Sequence, residues 1–147
     1  MVTPRRVELP DDIRVAIVEH ARRDYPNEAC GIVIGSAHVG EGGRALRFEP
    51  ARNAAASPYR YEIDSADLLR LTLDADDANE AFWAIVHSHV QSPARPSPTD
   101  IGLAFYPDSL YVLVSLSESE TDPATGEPGI RAWRIVGDEV DEVELAT

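Results

Sequence analysis

Residues 83–100 read WAIVHSHVQSPARPSPTD, and two histidines one residue apart at the end of an apolar run decide what the rest of the chain has to build. Phe82 to Val86 are aromatic, small or β-branched, so this run predicts a buried strand. Side chains alternate along a strand, which sends His87 and His89 out of the same face. Two imidazoles so placed are a ready pair of metal ligands, and Asp100, a short loop further on, offers a carboxylate oxygen. Three protein ligands with an open fourth position are the pattern of a catalytic rather than a structural zinc site. Pro93, Pro96 and Pro98 stiffen the loop that must deliver the third ligand.

A plainer reading accounts for part of this stretch. Ser97-Pro98-Thr99-Asp100 is also a helix start, with Ser as N-cap, Pro at the first helical position and an acid three residues after the cap. Capping explains Ser97 and Asp100 but leaves the paired histidines unexplained, whereas a metal site uses all four residues. Zinc held by His87, His89 and Asp100 supplies a water of pKa about 7 and polarises a carbonyl. Amide hydrolysis would then need a base for the water proton, for which Glu28 is the candidate. It would also need a donor to the carbonyl oxygen, and the Ser97 hydroxyl is the candidate. On its position alone, just ahead of a core strand, Glu28 reads as a solvated loop carboxylate rather than a site residue.

His87-Ser88-His89, seven residues, Ser97, two residues and Asp100 resemble the signature of the JAMM (MPN-plus) metalloproteases. Upstream, Tyr25-Pro26-Asn27-Glu28-Ala29-Cys30-Gly31 is similar to the family's P-x-E-x-C-G segment, so every motif position is matched. The resemblance implies zinc on His87, His89 and Asp100, Glu28 as the base and Ser97 as the oxyanion donor. It also implies a cytidine-deaminase-like α/β sandwich. Outside the motif, ARRDYPNEACG, SPYRYEID, PDSLYVLVS and RAWRIV look like the bacterial Mec-type branch. Those enzymes release cysteine from the C-terminal Gly-Gly tail of a ubiquitin-fold sulfur-carrier protein, so such a carrier is the expected partner. Relatives that remove ubiquitin-like modifiers from lysine, and metal-free relatives that act as scaffolds, are the alternatives.

The rest of the composition narrows the partners. In 147 residues, 26 acidic side chains stand against 13 basic ones, all Arg, for a net charge of −13. Nucleic acid and anionic membrane are therefore not expected, because phosphate is held by clustered Lys and Arg. A single cysteine, Cys30, excludes an intrachain disulfide. MVTPRRVELP has no apolar run after its arginines, and no stretch reaches the roughly 18 apolar residues of a membrane span, so a cytoplasmic protein is expected.

Taken in order, Leu9-Pro10-Asp11-Asp12 opens a helix carrying Ile13, Ala16, Ile17 and Ala21 and ending at Asp24. His20, near its last turn, reads as a cation placed against the helix dipole. Cys30 to Gly35 predicts a buried strand in which Cys30 is a small hydrophobe rather than a nucleophile. Ser36 to Gly43 reads as a loop with His38 exposed, followed by strands at residues 44–49 and 58–64. Ser65 caps a helix to about Asn79 whose end frays at Asp74, Asp76 and Asp77. A helix from Ser97 to about Tyr106, a central strand at 110–116 and a hairpin of 130–136 with 140–145 around Gly137-Asp138 complete the chain. This order predicts one α/β domain over residues 1–147, a mixed central sheet flanked by helices.

Overall fold

The computed structural model describes residues 3–146. Along them run β1 (Arg6–Glu8), α1 (Asp11–Asp24), β2 (Cys30–Gly35), β3 (Ala45–Ala51), α2 (Ser65–Asp77) and β4 (Ala81–His89). Then follow α3 (Pro98–Gly102), β5 (Leu110–Ser115), β6 (Gly129–Val136) and β7 (Glu139–Ala146). The seven strands form one sheet in the order β1-β7-β6-β5-β4-β2-β3. β1 runs parallel to β7 and β4 parallel to β5, and the other pairs are antiparallel, so the sheet is mixed as expected. No helix among the described residues is long and apolar enough to cross a membrane.

Strand alternation divides the core in two. On one face α1 lays Ile13, Ile17, Val18 and Ala21 against Val33, Val86, Val112 and Val114. On the other, Leu71 and Ala75 of α2 cover Ile32, Ile34, Ile85, Leu113 and Trp133. Each fully buried Val, Leu or Ile contributes roughly 1.5–3 kcal/mol, and this is what holds two short helices to the sheet. In β4 the pairing skips from Val33↔Ala84 to Ile34↔Phe82, leaving Trp83 as a bulge residue. The bulge swings its indole to the α1 face, where Nε1 donates to the Gly43 carbonyl at 3.0 Å. Beyond it regular alternation returns, sending Ile85, and with it His87 and His89, to the α2 face.

Several elements differ from the sequence reading. Residues 58–64 form no strand; only a bridge between Asn53 and Ile63 remains. The Asn53 side chain takes the backbone groups a ladder would have used. Its Oδ1 accepts from Ala55 and Glu62 N–H, and its Nδ2 donates to the Arg60 carbonyl. Short polar side chains compete with regular pairing in this way. The cap of α2 is Asp64, whose carboxylate accepts from Asp67 N–H at 3.2 Å, rather than Ser65. A charged cap also gains from the helix dipole. α2 does not fray at its aspartates but stays helical to Asp77, because buried Leu71 and Ala75 outweigh poor local propensity.

α3 stops at Gly102 instead of near Tyr106. Glycine weakens the helix there, and Tyr106 N–H is taken by the Tyr111 hydroxyl at 3.0 Å. His20 is buried at the end of α1, its Nε2 donating to the Cys30 carbonyl at 2.9 Å, so it packs as a structural residue. His38 is half-buried, 3.3 Å from Glu41. Cys30 is buried as expected, and burial pushes its thiol up to about 12, which leaves it unreactive.

Candidate metal centre

Hydrogen bonds around Ala29 and Ser88 align the elements that build the site. β2 and β4 pair with Cys30 opposite His87. One step beyond, Ser88 N–H donates to the Ala29 carbonyl at 2.9 Å while Ala29 N–H donates to Ser88 Oγ at 2.8 Å. Ser88 points to the opposite face from the histidines, so the serine between them joins the strands and leaves both imidazoles free. The stitching carries Glu28 alongside His89. Its backbone is held on both sides, N–H to the Ser57 carbonyl at 2.8 Å and carbonyl to Asn53 Nδ2 at 2.9 Å.

From the other direction, the N-terminus of α3 delivers Asp100. Ser97 Oγ accepts from Asp100 N–H at 3.1 Å, and Asp100 Oδ2 accepts from Ser97 N–H at 2.9 Å, a complete capping box. The same Oδ2 stands 3.0 Å from His89 Nε2 and 3.3 Å from His87 Nε2, and the two nitrogens are 3.3 Å apart. Capping and ligation are therefore one arrangement: the box aims the oxygen that completes the triad. His87, His89 and Asp100 are 1%, 3% and 9% exposed.

These atoms fit a bound cation. His89 Nδ1 lies 2.7 Å from the Pro93 carbonyl, which only accepts, so Nδ1 carries the hydrogen and Nε2 of the neutral ring is a bare lone pair facing a carboxylate oxygen. Two acceptors at that separation require positive charge between them, supplied by a proton or a metal ion. Ligand atoms on a tetrahedral zinc stand roughly 3.3 Å apart, given bonds of about 2.0–2.1 Å. The donor set of two imidazoles and one carboxylate is the set zinc takes at sites with an open position.

The electrostatics follow from the same contacts. Burial opposes the Asp100 charge, but hydrogen bonds from both histidines and the Ser97 N–H hold its pKa well below the usual carboxylate range. Burial pushes His87 down, toward the neutral ring a metal needs. At His89 burial acts in that direction too, but the Asp100 carboxylate and the Pro93 carbonyl outweigh it and raise the pKa. Glu28 is 3% exposed, and its Oε1 has no hydrogen-bond partner. Burial pushes its carboxyl up to about 7, with His89 pulling it down and Asp100 adding to the rise.

All five residues expected from the sequence are thus drawn together. Glu28, His89 and Ser97 line one open cleft of about 450 Å³, walled by Tyr25, Pro58 and Tyr59, with His87 and Asp100 behind it. Two contributors are not evident from residue pattern. Tyr61 stacks on His87, and Asn53 ties the Glu28 carbonyl to the segment bearing that tyrosine. A half-alternating segment had marked Tyr61 as strand, and nothing local marks Asn53.

A family model of prokaryotic homologs of the JAB domain matches residues 10–136. The chain belongs to the prokaryotic JAB family. This JAB domain is similar to the CysO-cysteine peptidase of Mycobacterium tuberculosis, with 43% identity over 132 residues, covering 89% of this chain and 84% of the relative. It is also similar to the desampylase of Haloferax volcanii, 29% identical over 150 residues and 99% of each chain. Among solved structures, a Desulfitobacterium hafniense protein studied in solution superimposes with a TM-score of 0.79 and 32% identity over 95% of this chain and 91% of that one. A JAB1/MPN domain protein from Archaeoglobus fulgidus shares the fold at a TM-score of 0.54 and 19% identity, over 97% of this JAB domain and 99% of its own chain.

Proposed function

We propose that residues 1–147 form one zinc-dependent hydrolase domain. Its reaction would be cleavage of the amide bond after the C-terminal Gly-Gly of a ubiquitin-fold carrier, releasing cysteine from a sulfur-carrier–cysteine adduct. The observation that carries the chemistry is the convergence of His87 Nε2, His89 Nε2 and Asp100 Oδ2 beside a buried, unpartnered Glu28 carboxylate. Zinc bound there supplies Lewis acidity and an acidified water.

The remaining work falls to the chain's own groups. Glu28, whose carboxyl burial pushes up to about 7 in the metal-free site, takes a proton from the attacking water as the new C–O bond forms, then returns it to the nitrogen as the C–N bond breaks. Ser97 Oγ accepts from Asp100 N–H, which leaves its own hydrogen free to meet the carbonyl oxygen as negative charge builds. The cleft walled by Tyr25, Pro58 and Tyr59 suits an extended, side-chain-free tail.

The choice of cysteine adduct is supported by 43% identity to a CysO-cysteine peptidase over most of the chain. A second reading, removal of a modifier from lysine, is favoured by the end-to-end match to the Haloferax desampylase. The test is mass spectrometry of a ubiquitin-fold carrier ending in Gly-Gly-Cys, incubated with the protein with and without chelator. Chelator-sensitive loss of cysteine is expected, and Glu28→Gln should keep zinc while turnover falls by roughly 10²–10⁴-fold. Cleavage of a lysine-linked carrier instead would establish the second reading. Failure on both substrates, with no zinc taken up, would leave a scaffold.

A further inference from the structure

The two histidines of the site are held by different means. His89 has the usual support of a metal-ligating imidazole, an Nδ1–H donated to a backbone carbonyl, that of Pro93, at 2.7 Å. His87 has none: its Nδ1 is buried without a hydrogen-bond partner. Its one polar contact is at Nε2, which faces Asp100 Oδ2 at 3.3 Å, so nothing polar holds the far side of the ring. Instead the Tyr61 ring lies over it, centroids 4.2 Å apart and planes within 19° of parallel.

Tyr61 is itself clamped. On either side of it the Arg60 carbonyl accepts from Asn53 Nδ2 at 3.1 Å, and Glu62 N–H donates to Asn53 Oδ1 at 2.9 Å. Glu62 also accepts from Ala54 N–H at 2.8 Å. The same Asn53 Nδ2 holds the Glu28 carbonyl, so one buried side chain ties the segment bearing Tyr61 to the segment bearing the proposed base. This clamp replaces the strand that residues 58–64 do not form.

We propose that Tyr61 is a positioning residue, which sets the ring of His87 for metal binding by face-to-face packing in place of the missing hydrogen bond. Asn53 holds it there. Stacking between rings adds to their burial and favours one ring orientation over its alternatives. The role belongs to the ring and not to the hydroxyl, and it rests on the metal reading of His87, His89 and Asp100.

The test measures zinc affinity by competition with a chromophoric chelator, and the visible spectrum of the cobalt-loaded protein, for the parent chain, Tyr61→Phe and Tyr61→Leu. The melting temperature of each metal-free protein reports folding. Tyr61→Phe is expected to match the parent within about twofold, while Tyr61→Leu loses roughly 10-fold or more in zinc affinity and changes the cobalt spectrum, the scale of lost ligand support. If Tyr61→Leu does not fold, Tyr61→Met, whose flexible side chain fills the same space, takes its place. A lower melting temperature with zinc affinity and cobalt spectrum unchanged would show a merely structural role and overturn the proposal. Equal losses in Tyr61→Phe and Tyr61→Leu would overturn it by assigning the effect to the hydroxyl. A parent chain that takes up no zinc would overturn the metal reading by itself, before any variant is compared.

Discussion

Asp100 Oδ2 accepts a backbone N–H at 2.9 Å while facing two imidazole nitrogens, so a helix cap and a candidate ligand are one atom. Removing the partner that aims it has two consequences. Ser97→Ala deletes half the capping box and the proposed oxyanion donor together. It should cost about 1 kcal/mol in urea unfolding and about 10²–10³ in kcat on the carrier substrate. Ser97→Thr, which can cap, should recover the stability. Glu28 has the clearest dependence on pH. Its folded pKa of about 7 lies above the ordinary 4.5, so between these values the native state binds a proton that the unfolded chain has released. Stability contributed by the neutral carboxyl is complete below pH 4.5 and is lost as pH rises to 7. In the chelated protein, unfolding free energy relative to Glu28→Gln should fall by up to about 3 kcal/mol between pH 4.5 and 7.5, measured by urea titration. A flat difference between the two would remove the burial argument for Glu28. The residue types at this site were legible in advance because metal ligation demands them at fixed spacing. Tyr61 was not, since stacking is a relation between segments that no spacing encodes.

Gly31 shows what an element demands of one position. A Cβ there would stand 2.6 Å from the Glu49 carbonyl oxygen and from the Phe48 ring, because β3 crosses close against β2 where the motif enters the sheet. Gly31→Ala should therefore destabilise the protein by about 1–3 kcal/mol through overpacking. It should also lower turnover, since the β2–β4 register sets Glu28 beside His89; thermal unfolding and carrier cleavage would read both. The long apolar runs, β2, β4 and β5, were legible because burial on both faces leaves little but Val, Ile, Leu and aromatics. Elements decided by side-chain competition were not. Asn53 turned residues 58–64 from an expected strand into a clamp, and Gly102 ended α3 early.

Over the whole molecule, the sheet is closed at one edge by β1, three residues at the start of the described chain. They pair in parallel with β7 at its end, Arg6 opposite Glu144, and are anchored by Leu9 N–H to the Ala146 carbonyl at 2.7 Å. Deleting residues 1–8 should lower the melting temperature by roughly 4 °C or more and bare the backbone of β7 to exchange, read by calorimetry and amide hydrogen exchange. Local pattern gives no sign of this strand, since three residues have no measurable periodicity. Glu28 was singled out only by the family resemblance; the sequence by itself determined the alternation of core elements, the JAB motif and the candidates His87, His89, Ser97 and Asp100. These rest on local chemistry: hydrophobic period, capping and the few side chains able to hold a cation. Only the tertiary structure decided what lies between distant segments. It put Asp100 Oδ2 between two imidazoles, buried Glu28 beside them, stacked Tyr61 on His87 and paired the two ends of the chain. Each of these depends on free energy gained by contacts between residues far apart in sequence, which no local window contains.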